Sequence, residues 1–211
     1  MKTRNKALVL TLCAVLLVVA TVMGTMAYLT STDSVTNTFT VGKVALTLDE
    51  AKVNPNGTPV ADANRVRANE YKLIPGHSYT KDPTVHVTAD SESSYIFVKV
   101  ENGIAAYEAA TETTEGGYKN IAAQIAANSW TALTGVDNVY YKEYTSKTTQ
   151  ENLVVFENFK IADNANAAGT WNDITAENTK ITVTAYAVQK DGFADAKAAW
   201  DATFGKTTTN P

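Results

Sequence analysis

The sequence predicts a mainly β fold: a two-layer β-sandwich with a few short helices, preceded by an N-terminal apolar helix. Three observations lead there. About seven short stretches alternate apolar with polar residues, the two-residue period of a half-buried strand. Beyond the N-terminal segment, few stretches carry helical spacing. Long polar loops rich in Asn, Thr and Gly separate the strands, as they do where two sheets pack face to face. No internal repeat is present.

Residues 1–27 read as a secretory signal peptide. Lys2, Arg4 and Lys6 make a basic start; Ala7 to Met23 is apolar but for Thr11 and Thr21; Thr25-Met26-Ala27 supplies a small-x-small cleavage site. As a helix the apolar run reaches roughly 25 Å, borderline for a bilayer. A retained anchor is therefore the competing reading, and the uncleaved segment is the one expected contact with a membrane. Cys13 follows Thr11-Leu12 rather than small residues, so it does not read as a lipid-attachment cysteine. Cleavage between Ala27 and Tyr28 leaves 184 of the 211 residues, enough for one domain with a real core. That domain is expected over 28–204, with a polar tail, GKTTTNP, over 205–211.

Losing the three basic residues moves the formal net charge from −4 to −7. No basic face remains to neutralise phosphates, which argues against nucleic acid as a partner. No cysteine follows Cys13, so an exported domain must rely on its core rather than on disulfides.

The chain in order gives the following. Thr36 to Leu48 alternates, with a change of phase at Gly42-Lys43 that suits a β-bulge or a join between two short strands. Ala51 to Glu70, with Asn54-Pro55-Asn56-Gly57 and Pro59, is a loop long enough to hold a hairpin or to be mobile. Leu73-Ile74-Pro75-Gly76 is a turn. Thr84 to Thr88 is a strand with Val85 and Val87 inward. Ser94 to Val100 is a stronger one, with Ile96, Val98 and Val100 on one face and Tyr95 and Phe97 on the other. Glu101 to Gly117 is loop. Tyr118 to Asn128 has helical spacing, and Trp130 after it enters the core. Val139 to Tyr144 is a strand, and Leu153 to Ile161 another. Ala162 to Asn178 is loop-like. Lys180 to Gln189 is the best strand, with Ile181, Val183, Ala185 and Ala187 inward. Asp191 caps a last helix, Phe193 to Phe204, that carries Phe193, Ala196, Trp200 and Phe204 on one face.

Motifs for chemistry are not found. His77 sits in a turn and His86 points outward between Val85 and Val87, so the two read as solvated histidines and no metal ligands are assigned. Ser78, Ser91 and Ser93 lack a G-x-S-x-G elbow. Asp82, Asp90 and Glu92 read as solvated turn carboxylates rather than an acid pair, and no phosphate-binding Gly motif occurs. Asp163, Asp173 and Glu177 are candidates for weak calcium binding. Trp171, in a loop, is the one candidate for an exposed carbohydrate platform. No catalytic residue and no cofactor are expected.

Several stretches resemble a known family. The junction AYLTSTDSVTNTFTVGKVALTLDE (Ala27 to Glu50) is similar to the signal region of Gram-positive proteins processed by the SipW-type signal peptidase. LIPGHSYTKDPTVHV (Leu73 to Val87) resembles the P-G-x-x-x-x-K-D-P-x-V segment of the TasA/camelysin (CalY) family. WTALTGVDNVYYKEY, LVVFENFKI and ITVTAYAVQKDGF with AAWDATF follow in the family's order, with loops of differing length. The resemblance implies a jelly-roll sandwich, secreted and assembled into biofilm-matrix fibres at the cell surface. It implies signal peptidase as a partner during export, and afterwards the chain itself, head to tail, or related matrix proteins. It also implies that a segment near the mature N-terminus pairs as a strand in the next subunit. Here that donor segment is 28–38, and its assembly strand is Tyr28, Leu29, Thr30, Ser31, Thr32, Asp33, Ser34 and Val35; a disordered terminus is the alternative. Camelysin-like members are classed as metallopeptidases, but no metal-ligand motif supports carrying that over. Two function classes besides a fibre subunit stay open: a monomeric surface adhesin or ligand-binding module, and a metallopeptidase.

Cleavage after Ala27 is directly checkable. N-terminal sequencing or intact mass of protein recovered outside the cell should begin at Tyr28. Protein held in the membrane with residues 1–27 attached would refute it.

Overall fold

The computed structural model describes residues 3, 5–6, 9–17, 43–165 and 179–205. The chain divides into two units, Met1–Val41 and Gly42–Pro211. In the first, residues 9–17 are helical (α1) and expose the apolar side chains of Leu10, Leu12, Leu16 and Leu17. No described helix is long and apolar enough to cross a membrane. The cleavage site Ala27–Tyr28, the assembly strand 28–35 and the expected strand residues 36–42 lie outside the described residues. So do 166–178, with Trp171, Asp173 and Glu177, and the tail from 206.

The second unit is mainly β, with nine strands among its described residues: β1 Leu46–Asp49, β2 Ser78–Thr80, β3 Thr84–Val87, β4 Ser94–Asn102, β5 Thr131–Ala132, β6 Val139–Tyr144, β7 Glu151–Val154, β8 Asn158–Lys160 and β9 Ile181–Gln189. Helices α2 (Ile121–Ala127) and α3 (Ala196–Thr203) complete it. One sheet is ordered β1-β3-β7, a second β5-β6-β4-β9, and β2 pairs with β8. Every pairing is antiparallel.

The alternation in β4 explains the layering. Ile96, Val98 and Val100 point between the sheets and meet Val85 and Val87 of β3, with Val155, Phe156, Phe159 and Ile161. Tyr95 and Phe97 point the other way, where α3 covers the sheet with Ala196, Ala199 and Trp200. Both faces are apolar because both are covered. The β9 reading holds in the same way: Ile181, Val183, Ala185 and Ala187 pack against the inter-sheet core.

Several expectations change. Leu153 to Ile161 is two strands in different sheets, not one. The break at Val155–Glu157 leaves the amides of Glu157 and Asn158 without ladder partners, and Oε1 of buried Gln124 accepts both, at 2.9 and 3.2 Å. The expected helix from Tyr118 starts at Ile121 because Asn120 caps it, its side chain accepting from the Ala123 amide. Tyr118 instead donates from its hydroxyl to Glu108, which also accepts from the Ile121 amide. The last helix is capped by Asp195, not Asp191, and starts at Ala196. Phe193 lies before it but still packs beside Trp200.

The 51–70 stretch is pinned rather than loose. Two bridges close it, Glu50 to Val66 and Val53 to Pro59. Gly57 has φ +81° and a Cβ there would lie 2.7 Å from Tyr79 Cα, so the tip rests directly on β2. The Arg65 guanidinium reaches the carboxylates of Asp49 and Asp82, the Asp82 carbonyl at 3.0 Å and the Thr84 hydroxyl at 3.0 Å.

Trp200 lies 5.2 Å from Phe97, 5.5 Å from Tyr186 and 4.8 Å from Phe204, ring centre to ring centre. Trp200→Ala removes the centre of that cluster and should lower stability by about 3–5 kcal/mol in denaturant titration. A loss under about 1 kcal/mol would mean that α3 contributes little to the fold.

Candidate functional site

The hydrogen-bond parity of the strands identifies two open edges. In an antiparallel pair, alternate residues turn their N–H and C=O toward one neighbour and then the other. The Thr88 amide donates to the Ala45 carbonyl, so Ala45, Thr47 and Asp49 face β3 while Leu46, Leu48 and Glu50 face away. Glu50 exchanges both bonds with Val66, at 2.8 Å each. The outward backbone groups of Leu46 and Leu48 have no hydrogen bond among the described residues.

The same reasoning applies to β9. Gly103 donates to the Lys180 carbonyl and Lys190 to that of Ser93, so Thr182, Thr184, Tyr186 and Val188 face β4. Ile181, Val183, Ala185, Ala187 and Gln189 turn their N–H and C=O outward, again with no bond among the described residues. Sheet order puts β1 and β9 at the ends of their sheets, and their Cα atoms approach within 8 Å.

A cleft of about 1060 Å³ opens between these two edges. Leu46, Leu48, Ile104, Phe159, Ile181 and Val183 give it apolar walls, and Arg67, Glu70 and Lys180 add charges. At the β1 end sits a buried ion pair, Lys81 Nζ with Glu50 Oε2, while Asn69 Nδ2 donates to Glu50 Oε1 at 3.0 Å. Lys81 also lies 5.9 Å over the Tyr71 ring. Burial, with the Glu50 and Asp82 carboxylates nearby, pushes the Tyr71 hydroxyl well above its ordinary pKa, so Tyr71 stays neutral and donates to the Thr80 carbonyl at 3.0 Å. A neutral, fully occupied phenol of this kind is a structural group.

The sequence-selected polar residues are scattered, and five of them, His77, His86, Asp82, Ser91 and Ser93, are already engaged. His86 does not stand alone in solvent: its Nε2 lies 2.8 Å from Asp49 Oδ1 and its Nδ1 2.7 Å from Asn152 Oδ1, linking β1, β3 and β7 across their outer face. His77 Nε2 lies 2.8 Å from the Asn56 carbonyl and its ring stands edge-on to Tyr79. Asp82 is held by Arg65 and accepts from the Ala51 amide at 2.6 Å. Ser91 Oγ meets the Ala45 amide and carbonyl, and Ser93 Oγ accepts from the Ser146 amide. Among the described residues no group of three or more His, Cys, Asp or Glu is placed to hold a metal ion. What the sequence did not single out is the pair of edges. Their side chains were readable as core, but which backbone row faces outward depends on partners 35–41 residues away for β1 and 79–95 for β9.

Asp49 gives a pH test. Burial alone would raise its carboxyl; hydrogen bonds and charge from Arg65 and His86 outweigh that and hold it below its ordinary 3.8. A carboxyl depressed on folding adds stability above its unfolded value, and that stability is lost as pH falls through the lower folded value. Denaturant midpoints measured from pH 6 to pH 2 should fall more steeply for the natural chain than for Asp49→Asn. Parallel curves would show that Asp49 carries no such linkage.

No family model, no curated protein and no solved structure matches the chain.

Proposed function

We propose that this is a secreted structural protein of the cell surface or extracellular matrix, whose copies join by strand donation. In this reading residues 28–35 of one copy pair with the outer edge of β9 in the next. The observation that carries it is the row of outward N–H and C=O groups on β9, alongside an apolar cleft. An extended segment added to such an edge gains main-chain hydrogen bonds, and the cleft takes its alternate side chains.

The dimensions suit each other. Eight residues in a strand span about 26 Å and the nine residues of β9 about 30 Å, at about 3.3 Å per residue. Pairing with β9 and β1 together requires their edges about 10 Å apart, twice the inter-strand spacing. In places their Cα atoms lie within 8 Å of each other, so a strand entering there requires the cleft to widen; β9, with the longer outward row, is taken as the first acceptor. Donation from one copy to the next is head to tail and does not close, which yields a filament. The segment carries a single charged side chain, Asp33, and Arg67 and Lys180 line the cleft that would receive it.

The resemblance of the junction, the K-D-P segment and the C-terminal stretch to the TasA/camelysin family supports the same reading. A jelly-roll connectivity, the leader over 1–27 and its removal belong to it. The reading involves no catalytic step, because recognition is by backbone pairing.

Val183→Pro tests it. Proline there removes one outward N–H of β9 and leaves the ladder to β4 intact, a position an edge strand tolerates. The variant should remain folded by circular dichroism and form no fibres in electron micrographs, and a chain lacking Tyr28 to Val35 should behave alike. Fibres of unchanged length and yield from either folded variant would contradict the proposal. A natural chain that stays monomeric at every concentration while binding a surface polymer would favour the adhesin reading instead.

A further inference from the structure

We propose that Trp130 guards the opposite end of the sandwich against strand addition, so that only the β1–β9 end accepts another copy of this chain. The choice of accepting end rests on the function proposed above; the role of Trp130 does not.

At that opposite end the sheets finish in β7 and β5. β7 is a strand edge like the others. The Val155 amide donates to the Pro83 carbonyl, which turns Glu151 and Leu153 toward β3 and Asn152 and Val154 outward. Here the outward carbonyl of Val154 is taken: the Trp130 indole N–H donates to it at 2.8 Å. The Trp130 ring is 3% exposed, and Lys142 Nζ lies 5.1 Å from its centre. Asn128, the C-cap of α2, donates from Nδ2 to the Val155 carbonyl at 3.3 Å. Gln124 of the same helix donates to the Asn158 carbonyl at 2.8 Å and accepts from the two amides at the strand break. The second sheet ends there in β5, two residues long.

A covered edge and a very short edge are standard means of preventing unwanted strand pairing. The short edge occurs at this end, and on β7 the Val154 carbonyl is covered, while the outward amides of Asn152 and Val154 and the Asn152 carbonyl have no hydrogen bond among the described residues. At the other end the outward groups of Leu46, Leu48, Ile181 and Val183 are bare among the described residues. A buried indole N–H requires some acceptor. This one takes the carbonyl that an incoming strand would need, and its ring closes the seam beside it.

The test compares Trp130→Phe with the natural residue in the full chain, by sedimentation velocity and electron microscopy, after circular dichroism confirms the fold. Removing the N–H should give a several-fold rise in self-associated species, seen as side-by-side bundles or oligomers. Adding Asn152→Pro, which removes the outward amide of β7, should reverse the rise. Asn152→Ala, which keeps that amide, should not, and nor should Val183→Pro. Where Trp130→Phe fails to fold, benzothienylalanine placed at position 130 keeps the shape of indole without its N–H and gives the same readout. An unchanged size distribution in the folded variant overturns the proposal, as does a rise reversed by Val183→Pro and not by Asn152→Pro. Failure of the fibre reading is separate: it would show as Val183→Pro leaving fibres intact while Trp130 is natural.

Discussion

β4 is the constraint on which the rest of this domain depends. It is bonded along both edges, to β6 and to β9, and it is buried on both faces, with Tyr95, Ile96, Phe97 and Val98 each at 3% exposure or less. Burying each such side chain contributes about 1.5–3 kcal/mol, so one strand supplies both the inter-sheet core and the layer under α3. Because its hydrogen bonds are fully used, β4 also sets the parity of its neighbours. β9 receives one ladder from β4, and its other row of groups must face outward.

The consequence is a sandwich with two unlike ends. At one, α2 and its exit place Gln124, Asn128 and Trp130 against the backbone from Val154 to Asn158. At the other, β1 and β9 flank a cleft whose charges are largely drawn to one side. Glu50 and Lys81 satisfy each other there, and Arg65 ties Asp49 to Asp82. Breaking a buried pair such as Glu50–Lys81 leaves an uncompensated charge, which holds this rim together, while the outward groups of Leu46 and Leu48 beside it have no hydrogen bond among the described residues. That difference between the ends is what the proposed addition of copies in one direction requires.

Much of the core was legible in the sequence, because strand period and burial are local. The faces of β4 and β9, the inward Val85 and Val87, buried Trp130 and the Ala196–Trp200 stripe follow from alternation or helical spacing. What was not legible depends on distant partners. Leu153, Val155, Phe159 and Ile161 share one phase and suggest a single strand, although Phe156 and Glu157 interrupt the alternation at the break; the amides freed there are taken by Gln124, some 30 residues earlier. β2 is three residues long, too short for a period, although Tyr79 is among the most buried side chains. His86 reads as solvated from β3 alone, whereas its partners Asp49 and Asn152 come from the strands on either side. The open edges are properties of pairing, and pairing is not written in any single strand.

Amide hydrogen exchange at Leu46, Leu48, Ile181 and Val183, compared between monomer and assembled protein, tests the account most directly. In the monomer these outward amides should exchange fast, while Thr182 and Thr184 on the same strand are protected by β4. On assembly Ile181 and Val183 should become protected, those of β1 following to the extent that the cleft widens. Outward β9 amides that stay fast in fibres, with protection appearing at Asn152 and Val154 instead, would contradict it.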